Sequence, residues 1–292
     1  YAAEQTLEPE ILFDEPGRRV EAHRNPLGVV AAIVPWNAPL YLAANKIGPA
    51  LISGNTIVVK PAPTTPMTTL RLGELIADIV PAGVVNIISA DNDAAAHAVA
   101  HKDIAKIAFT GSTETGRKIM ASAANGLKKL TLELGGNDAA IVLPDADIKA
   151  IAPALFGFAF FNSGQVCAVI KRLYVHDSIY DALCAEIAAI AAASPVGDGA
   201  DPSVQFGPIQ NKAQYEKVLR YLDAAKREGR IIAGGEAING PGYFVPLTVV
   251  ADVSDGTQIV DEEPFGPILS IPWLNRPTHH PLDWAVLYGP LT

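Results

Sequence analysis

The sequence predicts an α/β fold: a parallel, helix-covered sheet followed by a second α/β domain. Three observations carry this. Apolar runs of strand length recur through the first half, at Gly28 to Val34, Thr56 to Lys60, Val84 to Ser89, Lys106 to Phe109 and Leu130 to Leu134. Segments of helical spacing lie between them. The alternation resumes after Gly135-Gly136 with a different set of strands, which places a domain boundary there. Continuous apolar runs mark strands buried on both faces. Strands that alternate with helices build doubly wound parallel sheets.

In chain order, residues 1–20 mix charged and apolar residues without a clear period, and Arg18 to His23 alternates weakly, as one strand of a hairpin would. Pro35 stops the first long strand and Pro61 the second. Thr65 and Pro66 open a helix, because proline at the first helical position loses no hydrogen bond. Leu72, Leu75, Ile76 and Ile79 follow on one face, and Thr113 to Ala124 fits another helix. Past the boundary, Ala139 to Leu143, Ile170 to His176, Ile231 to Ala233, Phe244 to Val250 and Ile268 to Ile271 read as strands. Ala154 to Phe161 reads as a buried helix. Ser178 can cap a helix carrying Ile179, Leu183, Ile187 and Ile190, and Tyr215, Val218, Leu219 and Leu222 mark one more.

Composition narrows the function. Apolar residues make up 49% of the 292 and charged ones 18%, enough for a sizeable core and against disorder. A net charge of −9 argues against nucleic acid or an anionic membrane as partner. Two cysteines, Cys167 and Cys184, form no CxxC pair and no disulfide framework, which suits a reducing compartment, the cytoplasm by default. No apolar run reaches the roughly 18 residues of a membrane span. No secretory signal is visible, although Tyr1-Ala2-Ala3-Glu4 is not a natural start.

Cys167 lies on a short Ser163-Gly164-Gln165 loop between a helix and a strand. A lone thiol there reads equally as a nucleophile or as a small buried hydrophobe. Other polar residues gather at strand ends, where open α/β sheets bind ligands. Asn37 follows the first strand, Lys60 ends the second, Gly111-Ser112 follows the fourth and Glu133 lies in the fifth. Gly111 to Gly116 (GSTETG) can bring backbone close to a phosphate at a helix start, though it is no GxGxxG fingerprint. Lys60 alone reads as a solvated end-of-strand charge. Glu133, between Leu132 and Leu134, is costly to bury unless paired or functional.

The motifs PWN at 35–37, FTGST at 109–113, LELGG at 132–136, FNSGQVC ending at Cys167, GPIQNK at 207–212 and EEPFGP at 262–267 occur in this order. Together they resemble the aldehyde dehydrogenase superfamily, over Arg19 to Ile271. Cys167 follows Glu133 by 34 positions, and that pairing of LELGG with GQVC is highly specific. The resemblance implies a Rossmann-like cofactor domain over 21–135, a catalytic α/β domain over 136–271, and a linker or oligomerisation-hairpin remnant over 1–20. It implies NAD(P)-dependent oxidation of a small-molecule aldehyde to a carboxylic acid. Cys167 matches the nucleophile that forms a thiohemiacetal and then a thioester. The Asn37 amide and the Cys167 backbone N–H match the oxyanion donors. Glu133 matches the general base for thioester hydrolysis, with a raised pKa expected of a carboxylate in an apolar strand. Lys46 matches a lysine assigned to orientation or proton relay, though a helix-surface charge explains it equally well.

On the cofactor side, Ile33, Pro35, Trp36 and Leu134 match positions lining the dinucleotide. Lys60 matches the lysine beside the adenosine ribose, and Gly111 with Ser112 the pyrophosphate contact. Glu263 matches the residue on the nicotinamide ribose, with Phe265 beside it. Pro63 stands where many NAD-preferring members have glutamate, so NAD is the expected cofactor and NADP is compatible. No metal is expected: His279-His280 lacks further ligands at metal spacing.

Family members are longer at both ends. The resemblance stops after Ile271, and residues 272–292 hold four prolines and two of the three tryptophans, so they form a tail outside the family pattern. A reading-frame change in the parent gene is one origin for it. A sheet without its last strands would leave an open apolar edge. Without its partner strand the oligomerisation hairpin argues against the family's homo-oligomer. The alternative to an active enzyme is therefore an inactive or weakly active fragment that keeps the site residues. An acylating, coenzyme-A-dependent relative would lack Glu133, and a thiol hydrolase would need a histidine motif that is not seen.

Overall fold

The computed structural model describes residues 2–274. They divide into two compact units, between Gly135 and Gly136. The tail residues 275–292, His279-His280 among them, lie outside the described residues. Among the described residues no helix is long and apolar enough to cross a membrane.

The first unit begins with a hairpin, β1 (Glu10–Glu15) and β2 (Arg18–Ala22), paired antiparallel. There follow β3 (Val29–Ile33), α1 (Pro39–Ile52), β4 (Thr56–Lys60), α2 (Met67–Ile76), β5 (Val85–Ile87), α3 (Asn92–Ala100), β6 (Ile104–Thr110), α4 (Thr113–Ala124) and β7 (Lys129–Glu133). The sheet order is β5-β4-β3-β6-β7, with every neighbour parallel. The chain thus starts in the middle, winds to one edge, returns and winds to the other. The reversal falls between β3 and β6, whose carboxyl ends open the crevice in which such sheets bind ligands.

Alternation within each strand serves two cores. Val30, Ala32, Ile57, Val59 and Ala108 pack under α1 and α2, while Ala31, Ile107 and Phe109 pack under α3 and α4. Ile57 and Ile107 are fully buried, each contributing roughly 1.5–3 kcal/mol. Three expectations are corrected here. Pro66 is the N-cap of α2, not its first helical residue. The helix ends at Ile76, and Leu75 and Ile79 are exposed: only Leu72 of that apolar set packs against the core. Helices α1 and α3 were given no bounds from the sequence, although Pro39 in the first turn and an Asp91 cap on Ala94 N–H mark their starts.

The second unit holds β8 (Asp138–Val142), α5 (Ile148–Phe160), β9 (Ile170–His176), α6 (Tyr180–Ala193), α7 (Lys212–Glu228), β10 (Arg230–Ala233), β11 (Thr248–Val253), the one-turn α8 (Gln258–Asp261) and β12 (Ile268–Leu274). Its sheet runs β10-β11-β12-β9-β8, parallel except for β10. Helices α5 and α6 pack on one core and α7 on another. Among the described residues strand β12 is interior, and β8 and β10 are the sheet edges. It continues past Ile271 to Leu274; Tyr180 Oη donates to the Ile271 carbonyl at 2.7 Å and the Tyr180 ring stacks on Trp273.

Three expectations change in this unit. Helix α5 is one-sided rather than buried: Phe156 and Phe160 are core, whereas Phe158 and, just beyond the helix, Phe161 are exposed. Ser178 does not cap α6, because the chain first makes a 3-10 turn, Asp177–Ile179, capped by the His176 side chain. Strand β11 starts at Thr248 rather than Phe244. The tight turns at Gly240 and Gly242, both at positive φ, precede a non-regular approach to it.

Candidate active site

In the first unit the candidate residues, Lys46 on α1 apart, stand at the carboxyl ends of β3, β4, β6 and β7. Ile33 ends β3, and Pro35, Trp36 and Asn37 follow it, all half-buried. Lys60 ends β4 and is only 5% exposed, which corrects its reading as a solvated charge. Its carbonyl accepts from Val34 N–H at 3.0 Å, so the β3–β4 pairing draws the stem inward. Burial pushes its pKa down, and the charge of Asp91 at the α3 start opposes this.

Beyond β6 the backbone turns at Gly111, whose N–H donates to the Glu133 carbonyl at 3.0 Å. A Cβ at Gly111 would lie 2.5 Å from the Phe109 ring. Only glycine lets the chain cross that ring before entering α4. Ser112 is then the N-cap: its Oγ accepts from Thr115 N–H at 3.2 Å and donates to Thr115 Oγ1 at 3.0 Å. Leu134 packs against Gly116, where a Cβ would meet Leu134 Cδ2 at 2.7 Å. Its visible role is thus to seat α4 on the sheet.

Lys46 leaves α1 and donates through Nζ to Thr110 Oγ1 at 2.6 Å, at the end of β6. Thr110 is buried. Burial pushes the Lys46 pKa down, opposed by the charge of Glu133. A lysine on a free helix surface would show neither feature, so that reading falls. Glu133 itself is exposed. Among the described residues, edge strand β7 has a sheet neighbour on one side only, so the burial expected from Leu132 and Leu134 does not extend to this carboxylate.

In the second unit Cys167 is half-exposed and sits after a turn, Phe161–Gly164, of unusual backbone. Asn162 (φ 51°), Ser163 (φ 52°) and Gly164 (φ 69°) are successive left-handed residues, of which the two non-glycines each cost about 1–3 kcal/mol. Buried and half-buried hydrogen bonds hold this shape. Ser163 Oγ donates to the Gly207 carbonyl at 2.9 Å. Gln165 donates to the Asn162 and Pro208 carbonyls at 3.1 and 3.3 Å and accepts from Gln210 N–H at 2.9 Å. Lys171 Nζ donates to the Gly164 and Gly266 carbonyls, each at 2.7 Å. Gly136 leaves room for the Cys167 carbonyl, which a Cβ there would strike.

The EEPFGP loop is fixed in the same way. Gln214 donates to the Pro264 and Phe265 carbonyls, and Lys217 to the Glu263 carbonyl. Phe265 is left-handed at φ 48°. Glu263 Oε1 accepts from Gly136 N–H at 3.2 Å, and burial pushes its pKa up against that bond and against Lys217 and Lys171. Burial brings Lys171 down to about 7, with Glu263 opposing. Cys184 is core: burial pushes its thiol up to about 12, which removes it as a rival nucleophile.

Three short motifs far apart in sequence, ending at Cys167, starting at Gly207 and spanning Glu262 to Pro267, therefore meet in one hydrogen-bonded assembly within the second unit. A model of the aldehyde dehydrogenase family matches residues 1–277. The chain belongs to the aldehyde dehydrogenase family. It is 43% identical over 265 residues to a probable aldehyde dehydrogenase of a Pseudomonas species, covering 90% of this chain and 54% of that protein. It is 44% identical over 256 residues to the phenylacetaldehyde dehydrogenase of Pseudomonas fluorescens, covering 86% and 51%. The structure of a Bacillus cereus aldehyde dehydrogenase in complex with NAD+ superposes with a TM-score of 0.90 at 36% identity, covering 95% of this chain and 57% of that one. The chain thus spans about half the length of the curated relatives it matches.

Sequence reasoning missed Lys171, Gln165, Thr110, Gln214 and Gly136 as functional supports of this aldehyde dehydrogenase scaffold. Lys171 had a signal: it alternates with Leu173 and Val175 in β9, which places a charge in a strand whose alternate residues are core. The glutamines had none, since apart from Asn162 their partners are backbone atoms far away in sequence.

Proposed function

We propose that the chain carries the dinucleotide-binding and thiol-bearing parts of an enzyme that oxidises an aldehyde to a carboxylic acid with NAD, NADP being compatible. The observation that carries the reading is the half-exposed Cys167 on a left-handed loop that buried hydrogen bonds hold in place. Strain at one loop, over-determined by its surroundings, is characteristic of a functional site.

The first unit fits the dinucleotide. Its strand order reverses between β3 and β6, Gly111 brings backbone to the crevice, Ser112 opens a helix there, and Lys60 is a buried cation at the end of the neighbouring strand. Lys60 would hold the ribose, Ser112 and the α4 N–H groups the pyrophosphate, and Glu263 the nicotinamide ribose. When bound, the dinucleotide supplies the hydride acceptor that converts the tetrahedral adduct to a thioester.

The chain's own residues do the rest. Cys167, as thiolate, adds its sulfur to the aldehyde carbon, and the carbonyl π pair moves to oxygen. The Asn37 amide and Cys167 N–H donate to that oxygen, which has most charge in the transition state. Glu133 takes a proton from water as the water attacks the thioester carbon, and the thiolate leaves. An exposed carboxylate suits that step because it can exchange the proton with solvent. Lys46, held on Thr110, orients the end of β6 beside it. The two cysteines and their lack of pairing motifs favour a cytoplasmic setting.

The test is absorbance of the reduced cofactor on mixing the chain with NAD or NADP and a panel of aldehydes. Cys167→Ser should cut the rate by about 10³-fold or more. In Glu133→Gln a covalent acyl-enzyme should accumulate on the Cys167 peptide by mass spectrometry. Turnover that survives Cys167→Ser would end the proposal.

A further inference from the structure

The turn before Cys167 and the loop that carries Glu263 and Phe265 share one donor. Lys171 lies four positions after Cys167, in β9, and is 2% exposed. Its Nζ bridges the Gly164 and Gly266 carbonyls, both at 2.7 Å. Gly164 ends the left-handed run before the thiol, and Gly266 follows left-handed Phe265. A Cβ on Gly164 would lie 2.5 Å from Nζ, so the turn and the cation are fitted without spare room. A lysine nitrogen carries at least two N–H donors in either protonation state, so it can serve two carbonyls that converge on it. Glu263 supplies the opposing charge from the second loop, where it also feels Lys217 and Asp138.

We propose that Lys171 is the positioning residue of Cys167: it clamps the thiol's turn to the Gly266 carbonyl and so couples the nucleophile loop to the loop of Glu263 and Phe265. This rests on the reading of Cys167 as nucleophile, but its test needs neither aldehyde nor turnover. The whole chain is alkylated with iodoacetamide and both cysteine peptides are followed by mass. Cys184, buried in the core, reports unfolding.

In Lys171→Met the alkylation rate of Cys167 should change by roughly fivefold or more while Cys184 stays protected. Lys171→Arg, which keeps a charged multiple donor, should return the rate toward that of the unaltered chain. An unchanged Cys167 rate in Lys171→Met overturns the proposal. So does a Lys171→Arg rate that stays at the Met value, since packing rather than donation would then be responsible. If Lys171→Met exposes Cys184, Lys171→Gln decides on the same criterion. If that variant also exposes Cys184, Lys171 is a folding residue and the positioning role falls. Failure of the underlying reading would show separately, as aldehyde oxidation indifferent to Cys167→Ser.

Discussion

The candidate residues of the first unit stand at the ends of regular strands, whereas those of the second stand on turns that regular structure does not support. In the first unit β3, β4, β6 and β7 are each fixed by ladder pairing and by apolar packing on one face or both, and the polar residues at their ends follow where the strands stop. Losing one of them leaves the sheet intact. In the second unit Asn162, Ser163, Gly164 and Phe265 adopt left-handed backbone held by Ser163, Gln165, Lys171 and Gln214 through buried and half-buried hydrogen bonds. There the same atoms make the site and the fold. The two units should therefore respond differently to equally small substitutions.

The largest expected effect is in the second unit. Gln165→Ala removes donors to the Asn162 and Pro208 carbonyls and the acceptor of Gln210 N–H, all at a side chain that is 3% exposed. Each buried group left without a partner costs about 1–3 kcal/mol, so a loss on the order of 3 kcal/mol is expected by urea unfolding. If Gln165→Ala proves no more costly than a surface change, the contrast between the two units is wrong.

A smaller effect reports the buried cation. The folded chain holds Lys171 at about 7 against an ordinary 10.5. Between those values the unfolded chain binds the extra proton, so stability rises with pH and is lost as pH falls through about 7. One such proton contributes at most about 1.4 kcal/mol per pH unit. Lys46 and Lys60 are shifted in the same direction, but they are common to both chains when Lys171→Met is compared with the unaltered protein. Urea unfolding at about pH 7 and about pH 8.5, below the range where the upward-shifted Cys184 and tyrosines intrude, should show a gain with pH that is up to about 2 kcal/mol larger in the unaltered chain. Equal gains would mean that burial does not lower the Lys171 pKa in the folded chain.

The same contrast explains what could be read in the sequence. Strand β4 was legible to the residue and α4 likewise, because apolar runs stopped by proline and a Ser cap before a helical stretch are local signals. The Cys167 motif was legible as a motif. The reason its neighbours are glycine, glutamine and lysine was not: Gln165 answers to Pro208 and Gln210, and Lys171 to Gly266, partners more than forty residues away. Burial of charge was misjudged in both directions. Lys60 looked solvated and is buried, since its strand lies inside the sheet; Glu133 looked buried and is exposed, since its strand lies at the edge. Sheet order decides such cases, and strand order is not written in any one segment.

The smallest effect separates fold from binding at a strand end. Ser112 caps α4 through a 3.2 Å bond from Thr115 N–H. Ser112→Ala should cost about 1 kcal/mol, the usual loss for a removed cap, and should also weaken the dinucleotide by removing a hydroxyl from the proposed pyrophosphate contact. Ser112→Asp keeps an acceptor for Thr115 N–H and places a negative charge where the helix dipole favours it, by about 0.3–1 kcal/mol. Its stability should therefore match or exceed that of the unaltered chain. The same carboxylate would repel a pyrophosphate, so dinucleotide affinity by fluorescence titration should fall further than in Ser112→Ala. Stability and affinity then move in opposite directions at one side chain, as they should where the helix and the ligand favour opposite charge at the same position. If Ser112→Asp lost both together, the strand-end site would be as entangled with its scaffold as the cysteine turn is.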